Sequence, residues 1–156
     1  MHFALAIALV LSGGPQFATV KANCKPVQVR EFEIKVCLRG KPPSSYVATF
    51  TTDGGTPITL EERFEPSGTF DGVIRVFESN ERYFAYTSDD FECTIAFVVD
   101  RTTGKVVAES GCGNSKYCSV VKLPKPDECK VTFSCGEGED PSGYERTTKS
   151  WCSKKK

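Results

Sequence analysis

Cysteine is the residue type with the most chemical potential in this chain, whereas histidine is almost missing. The sequence contains 8 cysteines and 1 histidine among 156 residues. The histidine, His2, lies in an apolar N-terminal segment that precedes every cysteine. An even number of cysteines after such a segment is typical of a secreted disulfide framework. We therefore expect disulfides of unknown pairing at Cys24, Cys37, Cys93, Cys112, Cys118, Cys129, Cys135 and Cys152.

The scarcity of histidine removes most of the usual catalytic arrangements. Once a leader containing His2 is cleaved, neither a Ser-His-Asp triad nor a Cys-His pair can form. Paired carboxylates remain, but adjacent residues such as Glu61 and Glu62 point to opposite faces of a strand and so do not share a site. We therefore expect that the protein is not an enzyme and uses no cofactor.

Metal binding is also disfavoured by the cysteine spacing. Cys112 and Cys118, like Cys129 and Cys135, have more residues between them than the about two to four that are common in zinc sites. We expect no bound metal. The chain has 20 basic and 20 acidic residues, and this balance gives no general attraction to nucleic acid or anionic membranes.

The N-terminal segment has the pattern of a secretory signal. Residues 3–11 (FALAIALVL) are apolar, and Val20-Lys21-Ala22 is a plausible cleavage sequence before Asn23. The apolar run is about half the length needed to cross a bilayer, and no later segment is apolar enough to do so. The sequence therefore predicts a signal peptide over residues 1–22 and a secreted, extracellular, monomeric protein of one domain.

The rest of the chain reads as short strands separated by turns. Residues 30–39 (REFEIKVCLR) alternate strictly between charged and apolar side chains, and residues 91–99 (FECTIAFVV) repeat the period of two. Asp53-Gly54-Gly55 is a hairpin signal. No long helical pattern is present. The sequence predicts an all-β fold in which residues 23–135 form an antiparallel meander that closes into a small disulfide-stapled barrel, with a β-sandwich as the alternative. An irregular, glycine-rich tail with a cysteine and a basic end would follow over residues 136–156.

Two stretches resemble a known family. Residues 86–97 (YTSDDFECTIAF) look like the internal motif of lipocalins, and are most similar to the salivary lipocalins of ticks, which often have a cysteine after this turn. The segment from Leu123 to Cys129, followed by Phe133 and Cys135, is similar to the C-terminal end of those proteins. The Gly-x-Trp motif of the first lipocalin strand is absent. The resemblance covers about residues 70–135, and it implies a lipocalin-like barrel around a small ligand.

Aromatic and charged residues at strand positions are the candidate lining of such a cavity. A carboxylate among aromatic rings would suit a biogenic amine, whereas an arginine would suit the carboxylate of a lipid. The first hypothesis is a lipocalin-like carrier of a small ligand, and the resemblance to tick salivary lipocalins implies that it sequesters a host mediator, either an amine or a lipid. The alternative is an inhibitor that binds a host protease, complement component or chemokine through rigid loops. The candidate ligand-binding residues are Tyr46, Phe50, Glu62, Arg75, Phe77, Tyr86 and Phe97.

Overall fold

Strands dominate the computed structural model, which describes residues 16–39, 45–62, 71–90, 93–111, 116–138 and 140–153. The all-β prediction is confirmed for these residues. Besides the strands they contain one 3-10 turn, Pro141–Gly143. The strands are β1 (Gln16–Lys21), β2 (Val27–Val29), β3 (Phe32–Arg39), β4 (Ser45–Thr52), β5 (Ile58–Glu62), β6 (Asp71–Ser79), β7 (Tyr83–Asp90), β8 (Cys93–Asp100), β9 (Lys105–Glu109), β10 (Lys116–Val120), β11 (Lys130–Glu137) and β12 (Glu145–Ser150).

These strands form two sheets. The smaller is an antiparallel meander in the order β2-β3-β4-β5. The larger has the order β1-β6-β7-β8-β10-β11-β12, and β9 also pairs with β8. The pair β10 and β8 is parallel, and the other pairs are antiparallel. Consecutive pairing therefore holds from β2 to β5 and from β6 to β9, as the predicted meander requires.

A closed barrel is not found in the described part of the chain, because the strands fall into two open sheets with no strand pair between them. The middle strands of the larger sheet are covered on both faces. Along β7, Phe84 and Tyr86 enter one core while Tyr83 and Ala85 enter another, and all four are fully buried. We call these the first core and the second core. The first core lies between the smaller sheet and the central layer (β1, β6, β7 and β8). The second is formed by the other face of β7 and β8 together with β9, Leu123, β10 and β11. We call β10, β11 and β12, the C-terminal part of the same larger sheet, the C-terminal layer. The first core contains Val20, Val29, Phe32, Ile34, Val36, Tyr46, Ala48, Phe50, Leu60, Ile74, Val76, Phe84, Tyr86, Phe97 and Val99. The second contains Tyr83, Ala85, Ala96, Val98, Ala108, Cys118, Leu123, Val131 and Phe133.

The C-terminal tail is more regular than predicted. Residues 145–150 form β12, which pairs antiparallel with β11 from Lys130 to Cys135. Each residue of β12 is exposed, so the strand lacks the apolar alternation that would have revealed it in the sequence. Its position comes from backbone pairing and from Trp151, whose ring lies edge-on to Tyr83 at 5.7 Å.

Three disulfides are defined, and each joins cysteines that are close in sequence. Cys24 bonds to Cys37, Cys118 to Cys135 and Cys129 to Cys152, with separations of 13, 17 and 23 residues. Loops of this size stabilise a fold by about 3 kcal/mol each in the chain-entropy model. Cys93 is also disulfide-bonded, and Cys112 lies outside the described residues. Two of the three bonds join or flank strands of the C-terminal layer, as expected from the clustering of cysteines there.

The segment assigned to the leader is described only in part. Residues 1–15 lie outside the described residues, whereas residues 16–21 form β1 and pair with β6. No helix in the described ranges has the length and hydropathy needed to cross a membrane.

Candidate functional site

Four of the predicted ligand-binding residues lie in the first core and fill it. Phe50 and Tyr86 are 1% and 0% exposed, and their ring centroids are 4.8 Å apart. Tyr86 also stacks on Phe97 with a centroid distance of 4.8 Å. Tyr46 is buried in the same core. The rings of Phe50, Tyr86 and Phe97 therefore pack against one another and leave no open space between them.

The other three predicted residues lie apart from this cluster. Arg75 is half-exposed on the face of β6 away from the first core, where its guanidinium lies 5.1 Å from the Phe17 ring and 3.4 Å from Asp89 Oδ2. Phe77 is half-buried next to a bulge in β6. Glu62 pairs with Tyr46 through the backbone, and its side chain lies outside the described part of the structure. The structure therefore does not bring together in one site the six predicted residues whose side chains it describes.

A different site is formed where the first core reaches solvent at one end of the sheets. A cleft of about 270 Å³ opens there, and we call it the end cleft. Its apolar side is made of rings and aliphatic groups from the smaller sheet, and its polar side comes from turns of the larger sheet. The lining residues are Phe32, Phe50, Thr52, Gly55, Thr56, Ile58, Glu81, Arg101 and Thr102. Of the predicted residues that are described, only Phe50 is among them.

Arg101 is held at the rim of the end cleft by three contacts. Its guanidinium lies over the Phe32 ring at 5.6 Å from the centroid. Its Nη1 donates a hydrogen bond to the carbonyl of Asn80 at 2.8 Å, and its backbone N–H donates to the carbonyl of Arg82 at 2.7 Å. Since Asn80 and Arg82 flank Glu81, these bonds connect the β8–β9 turn to the β6–β7 turn. Glu81 and Arg101, the two charged residues of the cleft, therefore lie on two turns that are hydrogen-bonded to each other.

Polar side chains stiffen both of these turns. Asn80 Oδ1 accepts hydrogen bonds from the N–H groups of Arg82 and Tyr83 at 2.9 and 2.8 Å, an arrangement that closes a turn locally. Asp100 is 4% exposed, and its Oδ1 accepts from the N–H of Thr102 at 2.8 Å. The other oxygen of Asp100 lies 3.5 Å from Arg82 Nε. This buried carboxylate is therefore satisfied and holds the rim in place.

The β4–β5 hairpin forms the opposite wall, and it confirms the prediction made from Asp53-Gly54-Gly55. Gly54 has a φ of +69°, a conformation that glycine adopts without strain. At Gly55 a Cβ atom would lie 2.3 Å from Thr52 Oγ1, so a larger residue would force Thr52 to move. A side chain at position 55 is therefore accommodated only if Thr52 moves.

A second cleft adjoins the first on the other side of this hairpin. It has a volume of about 480 Å³, and we call it the acidic cleft. Thr52 and Gly55 line both clefts. Three carboxylates, those of Glu31, Glu33 and Asp53, line the acidic cleft without any lysine or arginine, while Glu81 and Arg101 line the end cleft. The acidic cleft is lined by Gln28, Glu31, Glu33, Thr51, Thr52, Asp53, Gly54 and Gly55.

The charges around the two clefts favour positively charged ligands. Together, the residues that line the two clefts include four carboxylates and one guanidinium. Glu31 is partly compensated, since its Oε2 lies 3.8 Å from Arg30 Nε and its Oε1 accepts a hydrogen bond from Ser79. The remaining carboxylates create a negative potential that attracts cations. In the described ranges, no group of three or more His, Cys, Asp or Glu side chains is arranged to hold a metal ion.

Glu81 and Arg101, the charged residues of the end cleft, are not among the residues predicted from the sequence. Both lie in turns that follow strands, where charged residues are common and carry no pattern. The available signal was Asn80, because an Asx turn at this position indicates a specifically shaped loop.

No family model, no curated protein and no solved structure matches this chain.

Proposed function

We propose that this protein is a secreted binding protein whose ligand site is the end cleft, and that the ligand is a small cationic amine with an aromatic ring. The ring would lie beside Ile58 and the small exposed edges of Phe32 and Phe50, and the ammonium group would be held by Glu81 and the neighbouring acidic cleft. The observation that carries this proposal is that a cleft with an apolar side adjoins a cleft lined by carboxylates.

The size of the end cleft supports an amine rather than a lipid. The cleft volume of about 270 Å³ is close to the lower end of the range of ligand pockets, which is about 300 Å³. A cleft of this size holds one or two fused rings. A fatty acid would need a longer apolar channel than Phe32, Phe50 and Ile58 provide. Arg101 could contact a lipid carboxylate, but the carboxylates around it repel that group.

The proposal does not require a closed barrel. The predicted lipocalin-like cavity would enclose its ligand, whereas this cleft holds a ligand at the open end of two packed sheets. Secretion is part of the proposal, and it is supported by the disulfides and by the apolar segment at residues 3–11. In this function the protein lowers the free concentration of a mediator and performs no chemistry on it.

Calorimetry with three related indoles tests the proposal. Tryptamine carries the ammonium group, tryptophol replaces it with a hydroxyl group, and indole-3-acetate replaces it with a carboxylate. We expect tryptamine to bind at least tenfold more tightly than tryptophol, and indole-3-acetate to bind most weakly. Equal binding of the three, or binding of indole-3-acetate alone, would show that the cleft does not select a cationic amine.

A charge-neutral variant assigns the binding to the cleft. Glu81 is exposed, so its ion pair is worth at most about 1 kcal/mol, and Glu81→Gln should weaken tryptamine binding about fivefold at low salt. Glu109→Gln is the matched control, because Glu109 is an exposed glutamate that lines neither cleft. The control should bind as the wild type does. An equal loss in both variants would indicate a general effect of net charge.

Binding of a host protein is the second candidate, and one observation favours it. Phe50, Tyr86 and Phe97 fill the interior where a carrier would have its cavity. The disulfides of the C-terminal layer would then hold a rigid surface, on which Tyr117 is 49% exposed. If none of the indoles binds while the protein retains a host protease, complement component or chemokine on a sensor surface, this second function replaces the first.

A further inference from the structure

The segment just before Asn23 has the burial pattern of a strand that belongs to the fold. Along β1 the side chains alternate, with Ala18 and Val20 turned inward and Phe17 and Thr19 exposed. Val20 is fully buried in the first core. A leader that is discarded has no physical reason to alternate with a period of two, whereas a half-buried strand must do so.

Pairing with β6 gives a second and independent reason. β1 and β6 are in register over six residues, from Gln16 opposite Val76 to Lys21 opposite Asp71. Ala18 lies opposite Ile74 and Gln16 lies opposite Val76, and both of these β6 residues are fully buried in the first core. Without β1, this side of β6 would be an open sheet edge next to buried apolar side chains.

Side-chain contacts extend the attachment to both ends of β1. The side-chain oxygen of Gln16 accepts a hydrogen bond of 2.8 Å from the backbone N–H of Arg30, a residue with a positive φ of 52°. The Phe17 ring lies 5.1 Å from the guanidinium of Arg75. These contacts are made by residues that cleavage after Ala22 would remove.

We propose that the leader is cleaved before Gln16, so that β1 remains in the mature protein as the edge strand of the larger sheet. The step is hydrolysis of one peptide bond by a signal peptidase, in which water adds a hydroxyl group to the carbonyl carbon and a proton to the departing amine. The small residues Ser12, Gly13 and Gly14 directly follow the apolar run of residues 3–11, and they provide a cleavage sequence of the required kind. This inference is independent of the proposed ligand.

The mass of the secreted protein tests the proposal directly. The full chain would be secreted from insect cells with its own leader, reduced, and examined by intact mass spectrometry and N-terminal sequencing. We expect the mature chain to begin between residues 12 and 16. A mature chain that begins at Asn23, or at any residue after Gln16, overturns the proposal.

Paired substitutions test whether β1 is part of the folded protein. Val20→Asp would place a charge in the first core, so we expect it to lower Tm by about 10 °C or to block secretion. Thr19→Asp is the matched control on the exposed face of the same strand, and it should change Tm by no more than about 2 °C. Val20→Ala should lower Tm by about 5 °C, and it provides a measurement if the aspartate variant is not secreted. The intact mass of each secreted variant is measured as well, and wild-type Tm values in all three would overturn the proposal.

Discussion

Phe133 is the residue at which the three-layer arrangement can be tested most sharply. Its side chain is 1% exposed and lies in the second core with Tyr83, Val131 and the partly buried Trp151. If the C-terminal layer is part of the folded core, Phe133→Ala should remove a full apolar contact and leave a cavity. Truncation of a buried phenylalanine costs about 3 to 5 kcal/mol in the free energy of unfolding.

Urea unfolding of the oxidised protein measures this cost. With a denaturant slope of about 2 kcal/mol/M, a loss of 4 kcal/mol lowers the midpoint by about 2 M. Tyr117→Ala is the matched control, since it truncates an aromatic residue of the same layer that is 49% exposed. The control should cost less than about 1 kcal/mol.

A small effect of Phe133→Ala would contradict this packing. A loss below about 1 kcal/mol, or a loss equal to that of Tyr117→Ala, would mean that the C-terminal layer does not pack against the central layer. The slope must also be compared between variants, because a lower slope would indicate a change in the denatured or native ensemble rather than a lost contact.

Three further outcomes are expected. Reduction of the disulfides should increase hydrogen exchange in the C-terminal layer more than in β4 and β5, which contain no cysteine, whereas equal deprotection would contradict the assignment of two disulfides to that layer. Gly55→Val should displace Thr52 and abolish tryptamine binding while changing the fold less. Calorimetry measures the loss of binding, and circular dichroism measures the change in fold. An unchanged affinity would place the site elsewhere. The backbone N–H of Ser142 lowers the pKa of Asp140, so the ionised carboxylate stabilises the turn above the ordinary pKa, and this stabilisation is lost as the pH falls through the lowered value. The amide resonance of Ser142 should report this titration, and Asp140→Asn should remove it.

The alternating pattern correctly predicted strands but left their layering undetermined. Residues 30–39 alternate between charged and apolar side chains, and the corresponding strand β3 has one buried face. In β8, seven of eight residues are buried, including Ala96 and Val98 on the side away from the first core. An apolar residue at nearly every position is the signature of a strand covered on both faces. That signal was present, and it favours a central layer over a one-sided barrel wall.

The candidate site was less predictable than the fold. Phe50 was selected because aromatic residues at strand positions can line a cavity, and it does form part of the end cleft. Tyr86 and Phe97 satisfy the same criterion yet stack on each other in the core. Strand position determines which face a side chain occupies, but the packing of the opposing sheet determines whether that face is solid or open.

The amino-acid sequence alone determined that the chain is all-β, that it has many short strands and a hairpin at Asp53-Gly54-Gly55, and that cysteines cluster toward its C-terminus. These features depend on local preferences and on a period of two, which a single segment carries by itself. Only the tertiary structure decided that β1 pairs with β6, that β12 joins β11, and that Glu81 and Arg101 meet at the end cleft. Such contacts join residues far apart in sequence, and their free energy depends on how whole sheets pack rather than on any local pattern.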